Sequence, residues 1–272
     1  MVVLCKHINN NTEIMENPKL ALIPSGYKSG DVYSILPVNG VGDFDFSRNT
    51  ESSRVNKEGL IETVDNNVPK LDWLNSDCPS LLLEPQRTNE FTYSEEFNQS
   101  VWFKSNSTIT TNEITAPDGT MTADLLTSNA SGGGVFRFNG WSTTQKTNSI
   151  FVKKNSSSTA EIFNASSGAN RVVFNLDNGT ITTQGGSMTG QIQNFGSGWF
   201  RISATHTATG NQTFGLKPET NQSLFIWGCQ SESASHPTSY IKTTGIAETR
   251  FKDECNNAGD SQLLNNSENT FF

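Results

Sequence analysis

The chain has 272 residues, of which 33% are hydrophobic and 17% charged, and its net charge is −8 with no basic stripe, which argues against nucleic acid as a partner. Its surplus of Asn, Ser, Thr and Gly argues against a helical fold, because all four are poor in helix interiors. The 17 Phe and 5 Trp residues supply core bulk that a disordered chain lacks. Taken in chain order, residues 1–30 mix polar runs with one apolar stretch at 20–24, and Ser25-Gly-Tyr-Lys-Ser-Gly30 reads as a turn. Short strands are predicted at 32–36, 59–64 and 80–83, separated by turns at Asn39-Gly40, Asn66-Asn67 and 77–79. None of these pieces can form a core alone, so residues 1–90 read as an extended, strand-rich adaptor stabilised by a neighbour.

Residues 91–250 have the rhythm of an antiparallel β-sandwich or jelly roll, with strands predicted at 135–138, 149–153, 159–163, 171–176, 199–204 and 224–227. Alternation sets Trp199, Arg201 and Ser203 on one face and Phe200, Ile202 and Ala204 on the other. Asp177-Asn-Gly179 after an alternating run marks a hairpin. The stretch 120–126 fits a strand or a helical turn. Residues 251–272 read as a polar C-terminal linker. The fold class is therefore all-β, with an adaptor at 1–90, a sandwich at 91–250 and a linker at 251–272.

No apolar run approaches membrane-spanning length, and the first residues are too short for a signal peptide, so no membrane insertion is expected. The four cysteines, Cys5, Cys78, Cys229 and Cys255, form no CxxC pair. Free thiols are the expectation, with a single bridge such as Cys229 to Cys255 as the alternative.

The run Ser80-Leu-Leu-Leu-Glu-Pro-Gln-Arg-Thr-Asn89, followed by Tyr93-Ser-Glu-Glu-Phe97 and Trp102-Phe-Lys-Ser105, resembles the head-spike and tail-fibre modules of phages. Leu20-Ala-Leu-Ile-Pro-Ser-Gly-Tyr27, Gly42-Asp-Phe-Asp-Phe-Ser-Arg48, Arg54-Val-Asn-Lys-Glu-Gly-Leu-Ile61 and Ala116-Pro-Asp-Gly-Thr120 fit the same pattern, as do Trp227-Gly-Cys-Gln230 and Thr238-Ser-Tyr-Ile-Lys-Thr243. The resemblance covers most of residues 20–260, with Cys229 standing where a small residue is usual. It implies a virion fibre or spike, commonly a homotrimer, assembled in the host cytoplasm. Its jelly roll would be like a carbohydrate-binding module, and its partners would be other virion proteins and host surface glycans. The alternatives are a polysaccharide depolymerase, or its carbohydrate-binding module, and a capsid decoration protein with no receptor role.

No GxSxG, HExxH, P-loop or GxGxxG motif is present, and the carboxylate pairs Glu95-Glu96 and Asp43/Asp45 fit solvated surface better than a glycosidase site. The expectation is therefore no enzyme and no cofactor. A structural Ca²⁺ is the one metal for which candidate ligands can be named, at Glu95, Asp118 and Asp124. A sugar site needs exposed aromatic rings to stack on, and the candidates are Trp141, Trp102, Phe103 and Trp199, with Trp141 the first choice. Trp227, in an apolar strand, is expected in the core.

Overall fold

A computed structural model describes residues 21–35, 44–142, 144–164, 169–207 and 210–256. Among them there is no helix. The chain divides into two compact units, 1–86 with 250–272, and 87–249. The expectations at Asn39-Gly40 and Phe271-Phe272 lie outside the described residues.

The first unit holds β1 (Ala21–Lys28), β2 (Asp31–Ile35), β3 (Phe44–Ser47), β4 (Ser52–Val55), β5 (Ile61–Val64), β6 (Lys70–Asp72) and β7 (Ser80–Leu82). The second holds β8 (Arg87–Asn89), β9 (Phe103–Ser105), β10 (Ser107–Ile114), β11 (Ala123–Ser128), β12 (Gly134–Ser142), β13 (Gln145–Lys154) and β14 (Thr159–Asn164). It continues with β15 (Arg171–Asn175), β16 (Thr180–Gly185), β17 (Met188–Asn194), β18 (Trp199–Thr207), β19 (Gly210–Pro218) and β20 (Ser223–Glu232). β21 (Glu248–Arg250) pairs with β8, and β22 (Glu254–Asn256) returns to the first unit.

In the first unit the sheet order is β1-β2-β3-β22, beside the hairpins β4–β5 and β6–β7. Two expectations change here. The segment read as a turn from Ser25 is strand through Lys28. The ladder shifts register between Leu22 and Tyr27, and that bulge accommodates Pro24, which cannot donate to it. The linker expected from 251 is likewise strand at Glu254–Asn256, with Cys255 opposite Phe46. Phe46, Leu81 and Cys255 make a small apolar cluster. Beside it, buried charges do much of the tying. Arg48 Nη1 meets Asp253 Oδ1 at 3.0 Å, Lys70 Nζ meets Asp253 Oδ2 at 3.0 Å, and Lys70 and Arg250 both pair with Glu84.

The second unit is an antiparallel sandwich of jelly-roll type, built from two six-stranded sheets. The first has order β10-β11-β20-β13-β18-β17 and the second β16-β15-β14-β19-β12-β9. Leu126, Ile150, Val152, Ile202, Leu224 and Ile226 from the first sheet share one core with Val135, Ile162, Val172, Phe174, Phe214 and Leu216 from the second. Each such side chain contributes roughly 1.5–3 kcal/mol on burial. The Asp177-Asn-Gly179 hairpin joins β15 to β16, with Gly179 at φ +67°. The stretch 120–126 resolves as a strand, β11, from Ala123.

Candidate functional site

The sandwich has two outer faces, and they differ in what covers them. On the first sheet, Trp199, Arg201, Ser203 and Thr205 point away from the core, as alternation requires, yet all four are buried. The segment 234–243 meets Arg201 and Thr205, and Thr115 meets Trp199. Arg201 Nη1 donates to the Thr238 carbonyl at 2.6 Å, Thr147 Oγ1 donates to that of Ala234 at 2.8 Å, and Ile241 N–H donates to Gln230 Oε1 at 2.7 Å. Tyr240 seals an aromatic group, its ring 4.7 Å from Trp227 and 6.1 Å from Phe151. Gly228, at φ +60°, makes room for this group, since a Cβ there would lie 3.0 Å from the Phe151 ring and 3.3 Å from that of Tyr240. This face is closed by the chain itself.

Among the described residues no segment covers the second sheet, and its outer face carries a row of phenylalanines. Phe136 on β12 stands opposite Phe103 of β9 on one side and Gly215 of β19 on the other. Gly215 in turn faces Phe163 of β14, and Phe163 faces Arg171 of β15. Residues paired across a ladder share a face. One line thus crosses five strands, Phe103–Phe136–Gly215–Phe163–Arg171. Alternation puts Phe138 on the same face, and it is 73% exposed, while Phe103 is 57% exposed. Lys104 anchors β9 by donating from Nζ to the carbonyls of Asn98 and Gln99, both at 3.1 Å, which leaves Phe103 turned outward.

Gly215 sets the tilt of Phe163. A Cβ built there would lie 2.6, 2.7 and 2.9 Å from three outer carbons of the Phe163 ring. Near-equal distances to those three atoms place the ring face-on over the glycine, flat on the sheet. Phe136 stands 5.4 Å away at an interplanar angle of 87°, and Phe103 lies 6.2 Å beyond it at 59°. The rings therefore make a floor with a wall beside it. Lys217 Nζ lies over the Phe163 ring, 4.8 Å from its centre, and 3.2 Å from Glu161, which ties the ammonium there.

The candidates named from sequence are scattered. Trp102 is fully buried, packed against Phe91, Phe97 and Phe214, with its indole N–H donating to the Tyr93 carbonyl at 2.8 Å. Trp199 is buried on the closed face, its indole N–H donating to Thr115 O at 3.3 Å. Neither ring can stack on a sugar, because each is already covered by protein. The polar sandwich needs its large rings inside, as it does Trp227. Trp141 lies in strand β12, opposite Asn211, rather than in a loop, and its side chain lies outside the described residues. Phe103 alone of the four falls on the open row. Phe136, Phe138 and Phe163 were missed as site residues because alternation cannot say which face of a strand the core takes.

The three carboxylates named for calcium are engaged separately. Asp124 accepts from the N–H groups of Phe97 (3.2 Å) and Asn112 (3.1 Å), and burial pushes its carboxyl up to about 6. Glu95 accepts from Tyr240 Oη (3.0 Å) and Lys242 Nζ (2.7 Å), and burial raises its pKa also. Asp118 accepts from the N–H and hydroxyl of Thr120. Among the described residues no group of three or more His, Cys, Asp or Glu is placed to hold a metal ion. Cys229 and Cys255 are free thiols, Cys229 buried in the core with its pKa pushed well up by burial. Cys78, against expectation, is in a disulfide whose partner lies outside the described residues.

No family model matches the chain, and no curated protein matches it. Among solved structures it is similar to the N-terminal CBM22-1–GH10 modules of a Clostridium thermocellum endo-1,4-β-D-xylanase complexed with xylohexaose, at a TM-score of 0.36 and 15% identity. That match covers 58% of this chain and 30% of the xylanase chain. A second is a putative sugar-binding protein from Bacteroides thetaiotaomicron, at a TM-score of 0.32 and 8% identity, over 54% of this chain and 94% of the other.

Proposed function

We propose that this chain is a non-catalytic attachment protein of a phage fibre or spike, and that its sandwich holds glycans on the open sheet. The observation that carries the glycan reading is the row of rings on the second sheet, with Phe163 flat and half-buried beside the Lys217 ammonium, Phe136 upright next to it and the exposed Phe103 beyond. A pyranose presents a face of C–H groups to such a ring and keeps its hydroxyls for polar neighbours at the rim. A soluble chain that leaves Phe103 and Phe138 in water on one face is displaying an interaction surface. The virion setting rests on the sequence resemblance.

Glycan-array screening followed by titration calorimetry tests the site. Phe163→Ala is expected to weaken binding at least about tenfold, as loss of one stacked ring should. Gly215→Val should do the same without touching the ligand, because its side chain would occupy the space under the ring. Both variants should keep the wild-type circular dichroism spectrum, since neither site is in the core. Binding that survives both substitutions would remove the open face from consideration.

The fibre reading also implies self-association as a homotrimer, and Leu60, Leu83 and Phe251 stand exposed on the first unit for such contacts. Light scattering on the full chain should then give three times the 29.7 kDa protomer mass. A monodisperse monomer would sink the trimer.

A further inference from the structure

Resting on the glycan reading just given, we propose that the open face is selective for acidic polysaccharides, those whose sugars carry a carboxylate, with Arg171 as the residue that reads the charge. The whole chain is acidic, at −8. The strands of the open face run against that trend. Across β9, β12, β19, β14 and β15 the outward positions carry Arg171, Lys217 and one acid, Glu161. Glu161 is already paired with Lys217 at 3.2 Å. Arg171 is exposed, and among the described residues it makes no ion pair. Its ladder partner on β16 is Gly185, which has no side chain to meet it. One uncompensated positive charge therefore stands at the end of the aromatic row, on a molecule that otherwise repels anions.

Its position suits a particular chemistry. Arg171 is the ladder partner of Phe163, one strand spacing of about 4.8 Å from the stacking floor. A sugar lying on Phe163 projects its substituents from the ring's rim, parallel to the sheet. A carboxylate on that rim meets a planar guanidinium on the adjacent strand, which can bind it through two parallel N–H···O bonds. A hydroxymethyl group at the same place offers no charge and only one such bond.

The test compares oligogalacturonate and oligomannuronate with the same oligomers after carboxyl reduction, titrated calorimetrically against the full chain and its Arg171→Gln and Phe163→Ala variants. At least one acidic oligomer should bind about tenfold or more tighter than its reduced counterpart, a preference that shrinks as salt is added. Arg171→Gln should erase that preference by weakening the acidic oligomer far more than the reduced one, while Phe163→Ala should weaken both forms. Equal binding of acidic and reduced forms, or a preference that survives Arg171→Gln, overturns the charge reading and leaves the stacking site standing. If instead Phe163→Ala alters binding of no oligomer in the set and of no glycan on the array, the site reading itself falls, and this inference with it.

Discussion

Asn89 shows what a single polar side chain does in this sandwich. It follows Arg87 and Thr88 in a run that the phage resemblance marks, but nothing in composition or alternation singles it out. In the structure it is fully buried, and its amide is used completely. Nδ2 donates to the carbonyls of Cys229 (3.2 Å) and Ile241 (2.8 Å), and Oδ1 accepts from the N–H groups of Phe91 (3.1 Å) and Ser231 (3.0 Å). One residue thus joins β8, the edge of β20 and the covering segment, where backbone groups would otherwise lack partners. Asn89→Ala leaves four of them unsatisfied at once. The expected loss is about 3 kcal/mol or more, read from urea denaturation of the full chain by intrinsic fluorescence. Asn89→Asp should not rescue it, because a carboxylate would then face two carbonyl oxygens. A cost below about 1 kcal/mol would mean that water replaces the amide and that the tie is not structural.

At the scale of elements, alternation is clearest in strands whose two faces differ. β14 and β15 alternate cleanly because one face meets the core and the other meets water, and 159–163 and 171–176 were placed from that contrast. β18 also alternates in sequence, yet both of its faces are buried, one under the second sheet and one under residues 234–243. Its outward positions are filled by Trp199, Arg201, Ser203 and Thr205, of which Arg201 and Thr205 hydrogen-bond the covering chain and Trp199 bonds Thr115. The pattern says which residues share a face, and it carries no record of what lies over that face. The same limit explains the aromatic candidates. Tryptophan is the larger ring and the more familiar sugar platform, so Trp102 and Trp199 were chosen over phenylalanines that look like core. The core took the tryptophans, and β12 and β14 put Phe136 and Phe163 outside. The one hint within reach was Gly215 in the middle of a strand, since a glycine there marks close approach of another group. The polar strands β10 and β17 went unread for a related reason: their exposed Thr, Gln and Asn residues have the composition of loops.

At the scale of the whole molecule, the two units are held together internally by different physics. The sandwich has a continuous apolar core, and the first unit has a small one beside a buried network of three cations, Arg48, Lys70 and Arg250, and two anions, Glu84 and Asp253. Asp253 is the hinge of that network. Its Oδ1 accepts from Arg48, and its Oδ2 serves both Lys70 and the Glu84 N–H at 2.8 Å. Because it comes from the C-terminal end of the chain, the first unit depends on residues almost 170 positions beyond its hairpins. Asp253→Asn would leave three buried cations to one carboxylate, a change that typically costs about 3–5 kcal/mol. Burial already holds the Lys70 pKa below its usual value, and loss of a neighbouring anion lowers it further. A lysine whose pKa is lowered in the folded state destabilises folding when it must stay protonated, so stability should rise with pH toward the ordinary lysine pKa. Two observations check this. In calorimetry the variant should lose one transition to lower temperature and keep the one belonging to 87–249, and the displaced transition should recover in part as the pH rises toward the ordinary lysine pKa. Adding Lys70→Met should restore much of the loss at neutral pH by removing the unmatched charge rather than replacing its partner. If the single variant melts as the parent does, the network is incidental and the small apolar cluster alone holds the first unit together.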